Sequence, residues 1–456
     1  MHHHFLYFVG ITILLFGGYA CSSSATRSTD EDSITTVEND TGTESSALSN
    51  TDSDISSDAP ENDPVISIID DVTEAVIESS CPAIVNDGLS DALGCDGVFN
   101  PGQVLDYHIV INENDWNALL QDPGPEFTYY PAEFSCGDET PITVGVRKKR
   151  SGGSNKVGLK IDMNQQVDDQ EYHTLKKLSF ENGVSEGETE DNADIETLLS
   201  EYLAWRLMSR ACVMSCRASF VNVNVNGERL GAFINVEQVD KRFLITRLGD
   251  DTGWLYKKSG SIGDGLKTHE TDGLVDPYAD YFCFFGVNGC AAPTADVLET
   301  ELPDRLDIEQ MLKFGAVNAL MANTDGPLLK DNNYYYYDWG INEAFLPRVY
   351  FPWDLDTAMN SNFNVFTGTV PGGVSWYTDA LFPTWSQDYV AMMQELVSTS
   401  NSLSVVEEEL TNAVDVAGGN LEADPYLNGT AQTAADKLTQ WWSARLTAVQ
   451  EQIDQQ

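Results

Sequence analysis

The sequence predicts an α+β fold in two parts, a β-rich part containing one helix followed by an α-rich part that opens on a small sheet. Three observations predict it. Strand signals dominate from about residue 104 to 238, an Asn-Gly dipeptide separates two apolar runs within that stretch, and helical periodicity takes over after about 300. With 456 residues, 42% of them hydrophobic, the chain has ample material for a large core, which excludes collagen-like, coiled-coil and wholly disordered classes. Charge narrows the partners. Against 25 Lys+Arg stand 72 Asp+Glu, a formal net charge of -47, and so large an acidic excess repels phosphate backbones. Nucleic acid is therefore not expected as a partner.

In the first part, Val104 to Ile111, Ile142 to Arg150 and Lys156 to Asp162 read as strands. Phe220 to Val225 and Leu230 to Val236 flank Asn226-Gly227, a pair that accepts the positive φ angles of a type I′ hairpin turn. One helix interrupts these strands, from about Asp194 to Met208, with Ile195, Leu198, Leu199, Tyr202 and Trp205 on one face. In the second part, Asp307 reads as an N-cap with Gln310 as its return partner, and Ile308, Leu312, Ala316 and Leu320 form the buried stripe of the helix. Tyr334 to Tyr337 and Arg348 to Phe351 are strand-like, and the remainder is helical. The parts are expected at about 100–260 and 300–456, within a folded region running from 81 to 456.

The N-terminus reads as an export signal over residues 1–21. Phe5 to Phe16 is almost uninterrupted apolar sequence, too short for a spanning helix, and small residues precede Cys21. Gly17 to Cys21 resembles a bacterial lipobox, which implies a lipid anchor on Cys21 and, through Ser22-Ser23, a place at the outer membrane or cell surface. His2 to His4 stand where Lys or Arg is usual, and an ordinary cleaved signal is the alternative. Residues 22–80 contain a single basic residue, Arg27, among Ser, Thr, Asp and Glu, a composition that cannot offset its ordering entropy and reads as a tether. The seven cysteines after Cys21 suit an oxidising compartment. Local pairs are expected, Cys81 with Cys95, Cys212 with Cys216 and Cys283 with Cys290, leaving Cys136 over. No CxxC occurs and only His108, His173 and His269 follow the signal, so a zinc site is not expected.

Chemistry concentrates between Asn323 and Asp356. A helix ends at Asn323, Asp325 and Gly326 open a loop, Asn332-Asn333 precede four tyrosines, and a turn returns to Pro352-Trp353-Asp354-Leu355-Asp356. A loop acid and an amide before one strand thus meet acids that end its partner. Phosphoryl transfer needs such a set: a carboxylate to orient the attacking hydroxyl, and hard oxygen ligands to hold a divalent cation on the phosphates. A hairpin whose Asp residues cap turns is the structural alternative.

Here the sequence resembles the spore-coat CotH kinase family, whose members are similar in fold to secretory-pathway protein kinases. The matching segments are "VGVRKKRSGGSNKVGLKID", "LKKLSFENG", "ETLLSEYLAWRLM", "FVNVNVNGERLGAFINVEQVDKRFL", "GWLYKK", "NTDGPLLKDNNYYYY" and "FPWDLD", in order over roughly residues 104 to 360. The resemblance implies a two-lobed protein-kinase-like fold and an exported enzyme that moves the γ-phosphoryl of ATP, with Mg²⁺ or Mn²⁺, to a protein hydroxyl.

Residue by residue, it implies Asp325 as the catalytic-loop carboxylate, Asn333 as that loop's metal ligand, Asp354 as the principal metal ligand and Asp356 as its support. Lys160 would contact the α/β-phosphates, with Glu201 holding it from the lone helix. Arg150 and Ser151, in the Gly-Ser turn before Lys160, would cradle phosphate through the backbone. Asn332 competes with Asn333, because the loop is longer than in protein kinases, and Lys156 competes with Lys160. Glu237 of "NVEQVD" matches the family without a role that its chemistry assigns.

Other chemistries fit less well. Gly183 to Gly187 has the G-x-S-x-G spacing of serine hydrolases, but an acidic run follows it and His269 is the one base downstream. Acid pairs of a glycosidase carry no information among 72 carboxylates without geometry. The rival to a kinase is a surface binding or adhesion module of the same fold with a degenerate site.

Overall fold

The computed structural model describes residues 81, 86–149, 156–183, 193–258, 266–268, 294–304, 306–330, 332–339, 347–367 and 381–456. All of them fall in one compact unit, Val76–Gln456.

The β-rich part is a closed barrel of seven strands. They are β1 (Leu105–Ile111), β2 (Tyr130–Cys136), β3 (Ile142–Lys148), β4 (Leu159–Asp162), β5 (Lys177–Glu181), β6 (Ala218–Val225) and β7 (Glu228–Val236), in the order β1-β2-β3-β4-β5-β7-β6. Every pairing is antiparallel except β1 with β6, which closes the ring in parallel. The expected hairpin is present, with Asn226 at φ 53° and Gly227 at φ 86°, the left-handed pair a type I′ turn requires. Period-two alternation sends Tyr107, Phe134, Leu159, Ile161, Phe180 and Phe233 into the barrel core.

β6 and β7 are buried on both faces. Val221 and Phe233 point into the barrel, while their neighbours Phe220 and Ile234 join a second core outside it. That core receives α2 (Ile195–Arg210), whose Ile195, Leu198, Leu199, Tyr202 and Trp205 are all buried as the periodicity predicts. The Asp194 carboxylate caps α2 by accepting from the Thr197 N–H at 2.9 Å. α2 is not the lone helix of this part. α1 (Glu113–Gln121) lies between β1 and β2 and buries only Leu119, so it carries no apolar stripe to read. α3 (Lys241–Leu248) follows β7, capped by Asp240 and ended by Gly249 in the left-handed region.

β8 (Trp254–Lys258) leaves the barrel altogether and pairs with β9 (Tyr334–Asp338), which pairs with β10 (Val349–Pro352). The small sheet is thus built from segments on either side of residues 259–333. Around it lie α4 (Ala295–Glu301), α5 (Ile308–Leu320), α6 (Pro327–Lys330), α7 (Phe382–Thr384), α8 (Ser386–Ser398), α9 (Leu403–Glu422) and α10 (Ala431–Ile453). Asp307 caps α5 as expected, accepting from the Gln310 N–H at 3.0 Å. Gln310 does not return the bond. Its amide donates to the Tyr350 carbonyl at 2.7 Å and so ties α5 to β10 instead.

The cysteines correct the expected local pairing. Disulfides join Cys81 to Cys212 and Cys95 to Cys136, and Cys216 is a buried free thiol. Chain proximity set the local pairs. The fold overrides it by bringing the start of the folded region to the end of α2 and β2 alongside β1. Cys283 and Cys290 lie outside the described residues.

Candidate functional site

The segment that follows α5 is organised around Asp325. One carboxylate oxygen accepts from Lys330 Nζ at 2.7 Å; the other accepts from the side-chain amides of Asn333 at 2.9 Å and Asn332 at 3.3 Å. Its own N–H donates to the Thr357 hydroxyl at 3.1 Å, which donates onward to Asn323 at 2.7 Å, and Asn323 donates to Asn318 on α5 at 3.0 Å. The carboxylate is therefore held from a buried helix and from the turn after β10 at once. The extra residues before Asn333 are taken up by the single turn of α6. Gly326 is required there, since a Cβ at that position would sit 2.6 Å from the Asn323 amide nitrogen.

Asn333 is buried and left-handed at φ 57°, and Asp354 is left-handed at φ 53°. Non-glycine residues adopt this region at a cost and only where their surroundings enforce it. What enforces it is the β9–β10 pairing, whose end is sealed by the Trp353 N–H donating to the Asn333 carbonyl at 3.1 Å. Two consecutive bonds thereby link Asp325 through Asn333 to Trp353, the residue before Asp354. Asp356 opens the following turn, partly buried. The oxygens of Asp354, Asp356 and Asn333 are hard donors, a set that fits Mg²⁺ or Mn²⁺ rather than zinc.

Lys160 stands on the outer side of β4, since its neighbours Leu159 and Ile161 fill the barrel. Burial pushes its amine down to about 7, reinforced by the positive charges of Arg147, Lys177 and Lys257 and opposed by Asp240. Lys257, on β8, lies 5.3 Å from the ring centre of Trp353 and 5.8 Å from that of Tyr335. The Tyr335 hydroxyl is raised by burial and by the charges of Cys216, Asp240 and Asp354. Lys160 and Asp354 are thus linked only through intermediates: Lys257 and Asp240 bear on Lys160, Lys257 lies against Trp353 and Tyr335, and Asp240 and Asp354 both bear on Tyr335.

The expected Lys160–Glu201 pair does not form. Glu201 is buried on α2, but no ion pair joins it to Lys160 among the described residues. Lys156 is likewise engaged elsewhere. Its amine lies 2.8 Å from Asp424, both side chains fully enclosed, and burial pushes it down to about 8 against the pull of Asp424. Asp424 also accepts from the N–H groups of Ala232, Tyr426 and Leu427, so this pair fastens the barrel to the end of α9. Arg150, Ser151 and Cys21 lie outside the described residues.

Several contributors carry no sequence signal of their own. Thr357, Lys330 and Lys257 matter through contacts made by the fold. Glu237 gains a role: it accepts from Arg217 and Arg247, and those two cations outweigh burial to hold it below the usual carboxylate range. Arg217 in turn bonds Asp87 at 2.7 Å. Asp240, three residues on, is pushed up by burial while its carboxylate caps α3.

The fold and this site define a kinase-like protein with a β-rich and an α-rich part. The family model described as CotH kinase protein matches residues 151–455, and the chain belongs to the CotH kinase family. Among solved structures it is similar to a chain of the Shewanella oneidensis MR-1 toxin–antitoxin complex of HipA, HipB and operator DNA, at 14% identity and a TM-score of 0.35, over 68% of this chain and 66% of that one. It is also similar to the Golgi casein kinase, at 9% identity and 0.31 over 79% and 76%, and to hydra Fam20 with sugar, at 13% and 0.28 over 79% and 87%. Likenesses this distant carry no argument about activity. No curated protein matches the chain in sequence.

Proposed function

We propose that this protein is an exported kinase that transfers the γ-phosphoryl of ATP to a hydroxyl of a protein acceptor. The observation that carries the reading is that the positive charges of Arg147, Lys177 and Lys257 bear on Lys160 in a chain of net charge -47, and that Lys257 lies against Trp353, the residue before Asp354. A cluster of cations in so acidic a protein calls for a polyanionic ligand. Lys160 and Lys257 would face its phosphates, while Asp354, Asn333 and Asp356 would hold Mg²⁺ or Mn²⁺, which supplies charge neutralisation for the phosphates. Asp325 orients the acceptor hydroxyl and takes its proton as the oxygen bonds to the γ-phosphorus and the bond to the β–γ bridging oxygen breaks, releasing ADP. The Asn332 and Asn333 amides and Lys330 fix the carboxylate for that task. Export, with a lipid anchor on Cys21 at the outer membrane or cell surface, belongs to the same proposal and is supported by the two disulfides, which suit an oxidising compartment.

The test is phosphate transfer by purified protein from labelled ATP with Mn²⁺ to a mixed protein acceptor. Asp325→Ala and Asp354→Ala should abolish labelling while leaving the melting temperature within a few degrees of the parent. Undiminished labelling in either variant refutes the assignment. One observation favours a second reading, a binding module of the same fold: Lys160 lacks the Glu201 partner. If neither ATP nor GTP with Mg²⁺ or Mn²⁺ raises the melting temperature, the binding module is the better account.

A further inference from the structure

A corner beside the barrel gathers sulfur, carboxylate and imidazole, and it shares no residue with the set proposed for phosphotransfer. Cys95 sits in the short turn Gly94–Asp96 ahead of β1, Cys136 ends β2, and Glu139 follows in the turn before β3. The sulfurs of Cys95 and Cys136 and a carboxylate oxygen of Glu139 all lie within 4.8 Å of one another. His173 borders them. Its Nε2 stands 3.6 Å from Glu139 Oε1 and its Nδ1 stands 3.3 Å from Asp96 Oδ1, with the backbone held left-handed at φ 47°. The Tyr172 hydroxyl donates to Glu139 Oε2 at 2.9 Å.

Tetrahedral zinc takes sulfur at about 2.3 Å and nitrogen or oxygen at about 2.0 Å, which sets its ligand atoms roughly 3.3–3.8 Å apart. Glu139 Oε1 and His173 Nε2 already have that separation. The surroundings match as well: a zinc-binding histidine turns its second nitrogen to a carboxylate, here Asp96, and a ligating carboxylate is itself hydrogen-bonded, here by Tyr172. In the structure the two sulfurs are bonded to each other, so the set is complete only when that disulfide is open. Cys95 is half-buried, within reach of a small reductant.

We propose that this corner binds a zinc ion in the reduced protein, through Cys95 Sγ, Cys136 Sγ, a Glu139 carboxylate oxygen and His173 Nε2. A small dithiol supplies the reduction: its two thiols pass two electrons and two protons to the Cys95–Cys136 bond, which breaks into two thiols, and close a disulfide of their own. Zinc then displaces both thiol protons to solvent. The corner is thereby tied in either state, by a covalent bond when oxidised and by coordination when reduced. No CxxC announces the site, because the fold assembles its ligands from separate segments.

The test reads the cysteines one by one. The full chain is reduced with dithiothreitol, freed of it without air, and alkylated by N-ethylmaleimide with and without Zn²⁺, the modified residues being mapped by peptide mass spectrometry. Zinc should slow alkylation of Cys95 and Cys136 about tenfold or more, and Mg²⁺ should not, since a hard cation does not take thiolate. Glu139→Gln and His173→Ala should each weaken zinc affinity about tenfold or more, read as the zinc concentration that gives half-protection. Zinc should also raise the melting temperature of the reduced parent, and leave Cys136→Ser unmoved. Equal alkylation with and without zinc, equal protection at Cys81, Cys212 and Cys216, or protection undiminished in either variant overturns the proposal.

Discussion

Two lysines four residues apart, Lys156 and Lys160, sit in opposite electrostatic settings. Lys156 is sealed against Asp424, and elsewhere Arg217, Arg242 and Arg247 are each paired with Asp87 or Glu237. Lys160 has cations for neighbours, and among the described residues the charge of Asp240 opposes them. In a chain so rich in carboxylates, Lys160 stands without a bonded acid among the described residues. The paired region holds the structure together; the Lys160 region is the one to which the proposed function assigns the nucleotide.

That contrast can be broken by substitution. Glu237→Ala strands Arg217 and Arg247 in the interior and should cost about 3–5 kcal/mol in urea unfolding, the range for breaking a buried ion pair. A loss below about 1 kcal/mol would mean that solvent already reaches the cluster. Lys156→Met should cost somewhat less, about 3 kcal/mol, because Asp424 keeps its three N–H donors. Nucleotide affinity of the folded fraction should be unchanged. Lys160→Met should do the reverse, cutting phosphotransfer about 100-fold, equivalent to about 2.7 kcal/mol, with stability unchanged or improved. If both lysine variants lose stability and binding together, the two settings are not distinct.

pH sharpens the same comparison. The folded-state amine of Lys160 titrates at about 7, below its unfolded value, so the folded chain releases a proton that the unfolded chain keeps. Its unfavourable charge is fully present below about 7 and is relieved as pH rises through the window up to the ordinary lysine value. A bound polyphosphate needs the charged amine, so nucleotide affinity should be greatest below 7 and fall by up to about tenfold per pH unit above it. Isothermal titration at several pH values reads this directly, and the slope should vanish in Lys160→Met. A flat profile in the parent protein would remove Lys160 from the ligand's reach. The smallest effect belongs to an exposed pair: Lys437→Ala breaks a contact with Glu196 and should leave the melting temperature unchanged.

Much of the fold was legible because its signals are local. The β6–β7 turn follows from Asn226-Gly227, α2 from its apolar face and cap, and β9 and β10 from their aromatic runs. β2 was not legible, since Pro131 and Glu133 interrupt its apolar alternation on the exposed face, and α1 was not, since it buries so little. Of the candidate site, Asp325, Asn333 and Asp354 could be anticipated because one loop and the adjoining ends of two paired strands carry them. The partners of Lys160 could not, because they come from β3, β5, β8 and the cap of α3.

The sequence by itself determined the two-part α+β class, the hairpin, the capped helices and the short set of acids and amides around the β9–β10 pair, because each depends on residues within a few positions of one another. Only the tertiary structure decided which lysine is bonded to an acid and which stands among cations, which cysteines pair, and what Glu237 holds. Those outcomes depend on burial and on charges brought from distant segments, and the free energy of a buried charge is set by its neighbours in space.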